Sequence, residues 1–135
     1  MERFTVSLED ELAAEFEQLI AEKGYKNRSE AIRDLIRERL NKERVEADPD
    51  SESVACLNYV YNHHERDLAK RLTDQHHGRH DISLSTLHVH LNHDYCLESV
   101  VLRGKTTNIQ SFSDGVISQP GVQHGRLFIV PIKEE

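Results

Sequence analysis

The chain has 135 residues, of which 37% are hydrophobic, and its formal net charge at pH 7 is -7. This length fits one average domain or two small ones, and the negative charge argues against general binding to nucleic acids or anionic membranes, because such binding requires cations that neutralise phosphates. With two cysteines and no apolar run long enough for a signal peptide or a membrane span, the sequence predicts a soluble cytoplasmic protein with reduced thiols and no membrane partner.

The first part of the chain predicts a strand followed by two helices. Residues 3–8, RFTVSL, alternate polar and apolar side chains, which is the period of a strand with one polar face. Apolar residues then recur at helical spacing as far as Gly24, where the end of a helix favours a left-handed residue. Asn27 is a good N-cap for a second helix, and Glu30 three residues later completes a capping box.

About forty residues in this order cannot bury their own apolar surface, and a single strand has no hydrogen-bonding partner. The sequence therefore predicts a dimer in which two strands pair as an antiparallel ribbon, whose width fits the major groove of DNA. The apolar side chains that would pack on the helices are Phe4, Val6 and Leu8. The polar side chains that would face outward are Arg3, Thr5 and Ser7.

This segment resembles a ribbon-helix-helix DNA-binding domain, and residues 27–37, NRSEAIRDLIR, resemble the second-helix signature of that family. The resemblance implies that the outward residues Arg3, Thr5 and Ser7 read bases. It also implies that the positive N-terminus of the second helix approaches a phosphate. The residues that it places near the DNA backbone are Asn27, Arg28 and Ser29. The alternative is a dimerisation module without a role in DNA binding, because a solvated strand face is also polar.

Residues 41–52, NKERVEADPDSE, predict a linker, because they are charged, contain Pro49 and lack hydrophobic periodicity. The chain is thus predicted to form two domains, a ribbon-helix-helix domain of residues 1–45 and a second domain of residues 53–135.

The second domain alternates strand and helix patterns in the order βαββαβ. Residues 53–62, 82–92, 96–104 and 121–131 have strand patterns, and residues 64–77 and 106–119 have helical patterns. Helices on either side of a central hairpin indicate a ferredoxin-like sheet of the ACT type, so the predicted class is α+β. Such an open sheet has edges and a face to cover, and together with paired ribbons it predicts a dimer of dimers.

Histidines concentrate in this domain, and residues 86–96, TLHVHLNHDYC, combine two of them with a cysteine. On a strand, His88 and His90 point to the same face. With an odd number of residues in the turn, residues 93–95 for example, Asn92 lies opposite Cys96 and His90 lies opposite Glu98, so that the cysteine shares the histidine face. Two imidazoles and a thiolate form a borderline-soft site that suits Ni, Cu or Zn rather than Mg or Ca.

A fourth ligand is missing from this hairpin, and the helix end QHHGRH offers three histidines, on the same chain or on a neighbouring subunit. These are His76, His77 and His80. The competing interpretation is structural, because H-x-H on a strand is common and a lone cysteine is often a small buried hydrophobe, as we predict for Cys56. The remaining histidines are predicted to be surface or hydrogen-bonded residues, namely His63, His64, His93 and His124.

The combination of these features closely resembles the NikR family of nickel-responsive transcription regulators over essentially the whole chain. It comprises the ribbon-helix-helix N-terminus, the βαββαβ domain with LHVH, a cysteine six residues on, and the terminal GVQHG. The resemblance implies a square-planar Ni(II) site with the ligands His88, His90 and Cys96, completed by His77 of another subunit. His76 remains the alternative, because a shift of one residue at the helix end would give it the same role.

The resemblance also implies a weaker cation site, which K(+) could fill, between the DNA-binding and metal domains. Its acidic ligands would be Glu30 and Asp34, and its backbone carbonyls would come from Ile117, Gln119 and Val122. Carboxylates four residues apart on a helix repel each other unless they share a cation. The alternative is that Glu30 acts only in the cap and that Asp34 pairs with Arg37.

The predicted function is nickel-dependent binding to double-stranded operator DNA, and the resemblance implies repression of nickel uptake. Nickel must then favour one arrangement of the ribbon domains or order a segment that touches DNA, for which Arg66 is a candidate phosphate contact opposed by the charge of Glu65. The competing hypotheses are a regulator that responds to another metal or to a metabolite, a zinc enzyme and a metal-storage protein. An enzyme is disfavoured because H-E-x-x-H and a well-placed carboxylate base are missing.

Overall fold

The chain divides into two units, Met1–Leu40 and Asn41–Glu135, in a computed structural model. The structure describes residues 1–65, 67–77 and 81–132, without the side chains of residues 69, 73 and 75–77. The elements in chain order are α1 (Asp10–Lys23), α2 (Arg28–Ala47), β1 (Glu52–Asn62), α3 (Leu68–His77), β2 (Ser83–His90), β3 (Tyr95–Lys105), α4 (Thr106–Ile117) and β4 (Val122–Pro131). Within the described residues, no helix is both long and apolar enough to cross a bilayer.

The predicted strand at the N-terminus is not assigned in a single chain, where residues 1–9 lack regular secondary structure. Its apolar side chains are largely exposed, with Phe4 at 88% and Val6 at 67%. They border an apolar groove together with Leu12, Phe16 and Ile32 of the two helices. A strand needs a neighbour for its backbone hydrogen bonds, so one chain by itself cannot form the predicted ribbon.

Helix α1 ends as predicted at Gly24, which has the left-handed φ of 74°. The Gly24 N–H donates to the carbonyl of Ala21, and the next N–H, of Tyr25, donates to the carbonyl of Ile20 at 3.2 Å. These bonds satisfy carbonyls that a helix end otherwise leaves without partners.

Replacing Gly24 with alanine is expected to lower the free energy of unfolding by about 1 kcal/mol, because L-residues avoid the left-handed region. An added Cβ would meet no atom within 4 Å, so the cost arises from the backbone and not from a clash. Urea denaturation of the full chain checks this value. Gly24→Asn is the control, because asparagine tolerates this conformation; equal losses in the two variants would contradict the explanation.

Helix α2 begins at the predicted cap, where Asn27 Oδ1 accepts a hydrogen bond from the Glu30 N–H at 2.9 Å. Its end differs from the prediction, because the helix continues to Ala47 through much of the segment interpreted as a linker. Residues 41–47 are mainly good helix formers, and Pro49 is the first residue that a helix cannot accommodate. The non-helical connection between α2 and β1 is therefore only residues 48–51.

The second unit confirms the predicted α+β architecture, with four antiparallel strands in the order β2-β3-β1-β4. Alternate residues of β1 are buried. They form the core with α3 and α4, whose buried residues include Leu68, Leu72, Ile109 and Phe112. Helix α3 begins at Leu68 and not at residue 64, because Asp67 has a positive φ of 61° that a right-handed helix excludes.

The opposite face of this sheet exposes apolar side chains in a single chain. Phe128 is 69% exposed and Leu87 62% exposed, and Val89, Val101 and Val54 are also exposed. The strand register places all five on the face opposite to the core, since their cross-strand partners alternate with the buried residues. We call these five residues the open face.

Candidate metal centre

The β2–β3 hairpin places His90 directly opposite Cys96 and His88 opposite Glu98. The turn between these paired positions, residues 91–95, has an odd number of residues as predicted. The example of a turn over residues 93–95, with Asn92 opposite Cys96 and His90 opposite Glu98, is wrong by two residues. The turn explains the difference, because Asn92 Oδ1 accepts hydrogen bonds from the N–H groups of Asp94 at 2.9 Å and Tyr95 at 3.0 Å. A shift of two residues preserves the side-chain face, so the cysteine does share the histidine face.

Cys96 lies at the centre of a group of possible metal ligands and is completely buried. Its Sγ is 3.4 Å from Nδ1 of His90 and 3.2 Å from Nδ1 of His63. The ligand atoms of these three residues all lie within 4.8 Å of one another. Two imidazoles and one thiolate at such distances can bind a borderline metal ion after small side-chain movements.

His63 was predicted to be a surface or hydrogen-bonded histidine, and its approach to Cys96 was not predicted. The register places Tyr61 opposite Cys96, and His63 follows two residues later, just beyond the end of β1. Its N–H donates to the carbonyl of Asp94 at 3.0 Å, which fixes it beside the hairpin turn. The spacing of two residues places His63 on the same strand face as Tyr59 and Tyr61, and this was the signal in the sequence. To use it, one had to know that β1 lies next to β3.

His88 is held by Glu98 and does not belong to the group around Cys96 in the described structure. Its Nδ1 is 3.1 Å from Oε1 of Glu98, and the ring centroids of His88 and His90 are 5.0 Å apart. A neutral imidazole that donates its Nδ1–H to a carboxylate leaves the lone pair of Nε2 available for a metal. The contact with Glu98 therefore selects the tautomer that a ligand role requires.

Two tyrosines on β1 surround the same carboxylate. Tyr59 donates its hydroxyl to Oε2 of Glu98, and the Tyr61 hydroxyl is 3.4 Å from Oε1. Burial raises the pKa of both hydroxyls well above the usual value, and the interaction with Glu98 raises it further. Both tyrosines are therefore protonated donors at neutral pH, and they fix the Glu98 carboxylate that orients His88.

With His88 as the predicted ligand, replacing Glu98 with glutamine is expected to weaken nickel binding about 10- to 100-fold, because partners of metal-binding histidines commonly contribute that much. The thiolate-to-nickel absorption should remain, since Cys96 is intact. Competition against a chelator of known affinity measures the change. Glu52→Gln is the control, because Glu52 is an exposed carboxylate on β1 that pairs with Arg103. Similar affinities for the two variants would contradict an orienting role for Glu98.

Burial raises the pKa of the Cys96 thiol, and the charge of Glu98 raises it further. The metal-free thiol is therefore protonated at neutral pH. Metals bind cysteine as the thiolate, so binding at this position must release a proton.

The side chains predicted to supply the fourth ligand lie outside the described part of the structure. His77 and its alternative His76 form the last residues of α3. His80 and the predicted phosphate contact Arg66 lie outside the described residues altogether. The choice between His77 and His76 therefore stays a prediction.

Among the described residues predicted to contact DNA, Arg3, Thr5, Ser7 and Ser29 are all exposed. Arg28 donates its Nε–H to the carboxylate of Glu17 in an exposed ion pair. Exposed pairs of this kind contribute little stability, so a phosphate could replace the carboxylate at small cost.

The carboxylates predicted for the second cation site have partners within the first unit. Asp34 accepts hydrogen bonds from the Tyr25 hydroxyl at 2.9 Å and from Arg37 at 3.4 Å. Glu30 lies beside Asp34 in a pocket that also includes Arg33. The pair between Asp34 and Arg37, which was the alternative to a cation site, is therefore formed.

The predicted carbonyl ligands Ile117, Gln119 and Val122 belong to the second unit. There the Gln119 carbonyl accepts a hydrogen bond from the Val122 N–H at 3.1 Å. The cation assignment for these residues remains a prediction.

Comparison with known proteins defines the class of this chain. Residues 2–43 match the family described as "Ribbon-helix-helix protein, copG family", and residues 54–130 match the "NikR C terminal nickel binding domain". The chain is therefore a DNA-binding transcription regulator with a metal-binding domain, and not an enzyme.

The chain belongs to the NikR family. It is 44% identical over 132 residues to the nickel-responsive regulators of Brucella abortus biovar 1 (strain 9-941) and Brucella suis biovar 1 (strain 1330), and each alignment covers 98% of this chain and 100% of the relative. In fold it resembles the uncharacterized protein TM1266 from Thermotoga maritima. That match has a TM-score of 0.51 and 18% sequence identity, and it covers 61% of this chain and 99% of the other.

Proposed function

We propose that this cytoplasmic protein binds operator DNA in response to nickel and represses genes for nickel uptake. The observation on which this proposal rests is the proximity of Cys96 and His90 on one hairpin, with 3.4 Å between Sγ and Nδ1. Membership of the NikR family adds a nickel-binding domain and a DNA-binding domain in the same chain.

The proposed nickel ligands are His88, His90 and Cys96 of one chain and His77 of a neighbouring subunit, with His76 as the alternative. Three nitrogens and one thiolate suit the square-planar geometry of Ni(II). His88 must turn its Nε2 towards Cys96, and its 39% exposed side chain leaves room for this rotation. Bound nickel would supply a rigid link between the hairpin and the helix end of the neighbouring subunit. That link is the proposed route by which metal influences the arrangement of the DNA-binding domains.

A dimer of dimers is the proposed assembly, and two exposed apolar surfaces support it. The N-terminal segment needs a second copy to form a ribbon and to cover Phe4 and Val6. The open face exposes five apolar side chains, Phe128 and Leu87 among them, and exposed apolar surface of this kind marks an association site. Two different two-fold self-contacts on each chain are what a dimer of dimers requires.

In the proposed DNA complex, Arg3, Thr5 and Ser7 read bases from the paired ribbon. The backbone contacts would come from Asn27, Arg28 and Ser29 at the start of α2, and from Arg66. A second cation such as K(+) at Glu30 and Asp34, with the carbonyls of Ile117, Gln119 and Val122, would favour the DNA-bound arrangement. The proximity of two carboxylates and the Tyr25 hydroxyl supports the acidic half of that site.

Nickel titration followed by absorption spectroscopy tests the proposal and the fourth ligand together. The wild-type chain should develop the spectrum of planar, thiolate-bound nickel, and His77→Ala should lose it while His76→Ala keeps it. The reverse pattern would transfer the role to His76. A spectrum that both variants retain would contradict a ligand from this helix end.

An alternative is a ribbon-helix-helix regulator that responds to another metal. The approach of His63 to Cys96 favours it, because His63, His90 and Cys96 form a three-ligand set within one chain. Such a set with an open fourth position suits tetrahedral zinc. Loss of metal-dependent DNA binding in His63→Ala, with no loss in His88→Ala, would support this alternative over the nickel proposal.

A further inference from the structure

Helix α3 and the turn that follows α4 are connected by an arginine. Arg71, in α3, donates its Nε–H to Oε1 of Gln119 at 3.0 Å and an Nη2–H to the carbonyl of Pro120 at 3.2 Å. Both acceptors belong to the segment between α4 and β4, which is distant from α3 in the sequence. We call this segment, residues 118–121, the α4–β4 turn.

Hydrogen bonds also define the shape of the α4–β4 turn itself. Gln119 donates from Nε2 to the carbonyl of Gly115 and from its backbone N–H to the carbonyl of Val116, both at 3.2 Å. The Gln119 carbonyl accepts the N–H of Val122, the first residue of β4, at 3.1 Å. Arg71 therefore holds a turn of defined geometry, so a change in α3 is passed to the turn and is not absorbed by a loose loop.

Close packing adds a second contact between the same two elements. Gly121 has a φ of 95°, and a Cβ at this position would lie 2.9 Å from Cδ2 of Leu68 and 3.0 Å from Cγ of Glu65. Leu68, the first residue of α3, is completely buried. The turn therefore lies directly on the start of α3, and both its backbone and the available space require a glycine there.

The two connected elements carry different parts of the proposed function. His77, the proposed fourth nickel ligand, is the last residue of α3 and follows Arg71 by less than about two helical turns. Gln119 lies in the α4–β4 turn, and Ile117 and Val122 border it. The carbonyls of these three residues are the proposed ligands of the second cation. Arg71 is thus a direct side-chain connection between an element proposed to bind nickel and one proposed to bind the second cation.

We propose that Arg71 is a positioning residue that transmits nickel binding from α3 to the α4–β4 turn. The inference rests on the proposed nickel centre, because nickel bound through His77 would restrict the movement of α3. The planar guanidinium of Arg71 holds two acceptors at once, so restriction of the helix also restricts the turn. The carbonyls of the turn are then fixed in one arrangement, and the second cation binds a site that needs less ordering.

Hydrogen–deuterium exchange of the full chain with and without Ni(II), followed by mass spectrometry, tests this role. In the metal-free chain, Arg71→Gln should speed the exchange of the α4–β4 turn about 10-fold, because the hydrogen bonds of a charged group are lost. Nickel should slow the exchange of this turn in the wild type. In Arg71→Gln, nickel should slow the exchange of the β2–β3 hairpin as it does in the wild type and leave the turn unchanged.

Lys70→Gln is the matched control, because Lys70 is the exposed neighbour of Arg71 on the same helix and carries the same charge. In this variant nickel should slow the exchange of the turn as it does in the wild type. Equal slowing in the wild type and in Arg71→Gln would overturn the proposal. So would a wild-type chain that binds nickel with thiolate absorption but shows no slowing of the turn.

Absorption spectroscopy of the same samples distinguishes this proposal from the proposed nickel centre. A wild type without thiolate absorption would contradict the nickel centre and, with it, the transmission of nickel binding. The connection between Arg71 and the turn is judged separately in the metal-free chain. There, exchange of the turn at the wild-type rate in Arg71→Gln would overturn the positioning role of Arg71.

Discussion

Replacing Cys96 with alanine is expected to abolish the thiolate-to-nickel absorption and to lower the nickel affinity of the proposed nickel centre at least about 100-fold. The thiolate is the only soft donor among the proposed nickel ligands. Its Sγ is close to Nδ1 of both His90 and His63. Nickel-dependent DNA binding should disappear in the same variant, because the metal would no longer connect the hairpin to the neighbouring subunit. Absorption spectra and DNA binding measured with and without nickel check both results.

Cys56→Ala is the control for this experiment, because Cys56 is the second free cysteine of the chain. The prediction that Cys56 is buried is wrong, because it lies on β1 with its partly exposed side chain on the open face. Its Sγ is 3.2 Å from Oγ of Ser99. This variant should retain the absorption and the nickel response. Full nickel-dependent DNA binding by Cys96→Ala would refute the assignment of the nickel centre to Cys96, even if the variant still bound nickel through its histidines.

The Cys96 variant should also lose the pH dependence that arises from the thiol. Burial and Glu98 raise the pKa of Cys96, so a proton must leave when nickel binds. Nickel affinity of the wild type should therefore fall as the pH decreases, because protons compete for the thiol. Affinity measured across a pH series should change less steeply in Cys96→Ala; identical slopes would indicate that the thiol does not bind the metal.

Replacing Arg3 with alanine is expected to remove operator selection while leaving nickel binding unchanged. Arginine can form two hydrogen bonds with the edge of a guanine, and one such contact contributes about 1–3 kcal/mol, on the order of 10- to 100-fold, to discrimination between bases. Two copies of Arg3 in each ribbon increase the total effect. Binding to operator and to unrelated DNA at one fixed salt concentration gives the ratio that must fall.

Arg126→Ala is the control for the loss of positive charge. Arg126 is exposed on β4 of the second unit, and its described hydrogen bond is to the carbonyl of Gly125. Its removal should alter neither operator selection nor nickel stoichiometry. If Arg3→Ala weakened binding to both DNA sequences equally, Arg3 would be a phosphate contact and the assignment of base reading to this residue would be wrong.

The hydrophobic periods of the sequence were sufficient to predict most elements of the fold. The β-rich composition of residues 53–62 and 96–104 identified the two central strands. Gly24 and Asn27 marked the helix ends correctly because caps depend on local backbone geometry. The second helix was predicted to end too early, before residue 41. High charge and weak periodicity suggested a linker, whereas strong helix formers extend α2 to Ala47.

The sequence by itself determined which side chains share a face, because the period of a strand is fixed by backbone geometry. On that basis His88, His90 and Cys96 were placed together before the hairpin register was known. Only the tertiary structure decided which residues are opposite one another, because the side chain of Asn92 determines the turn and no hydrophobic pattern specifies it. It also brought His63 to Cys96 and His64 to His93 and Asp94, because strand neighbours distant in sequence are selected by packing of the whole sheet.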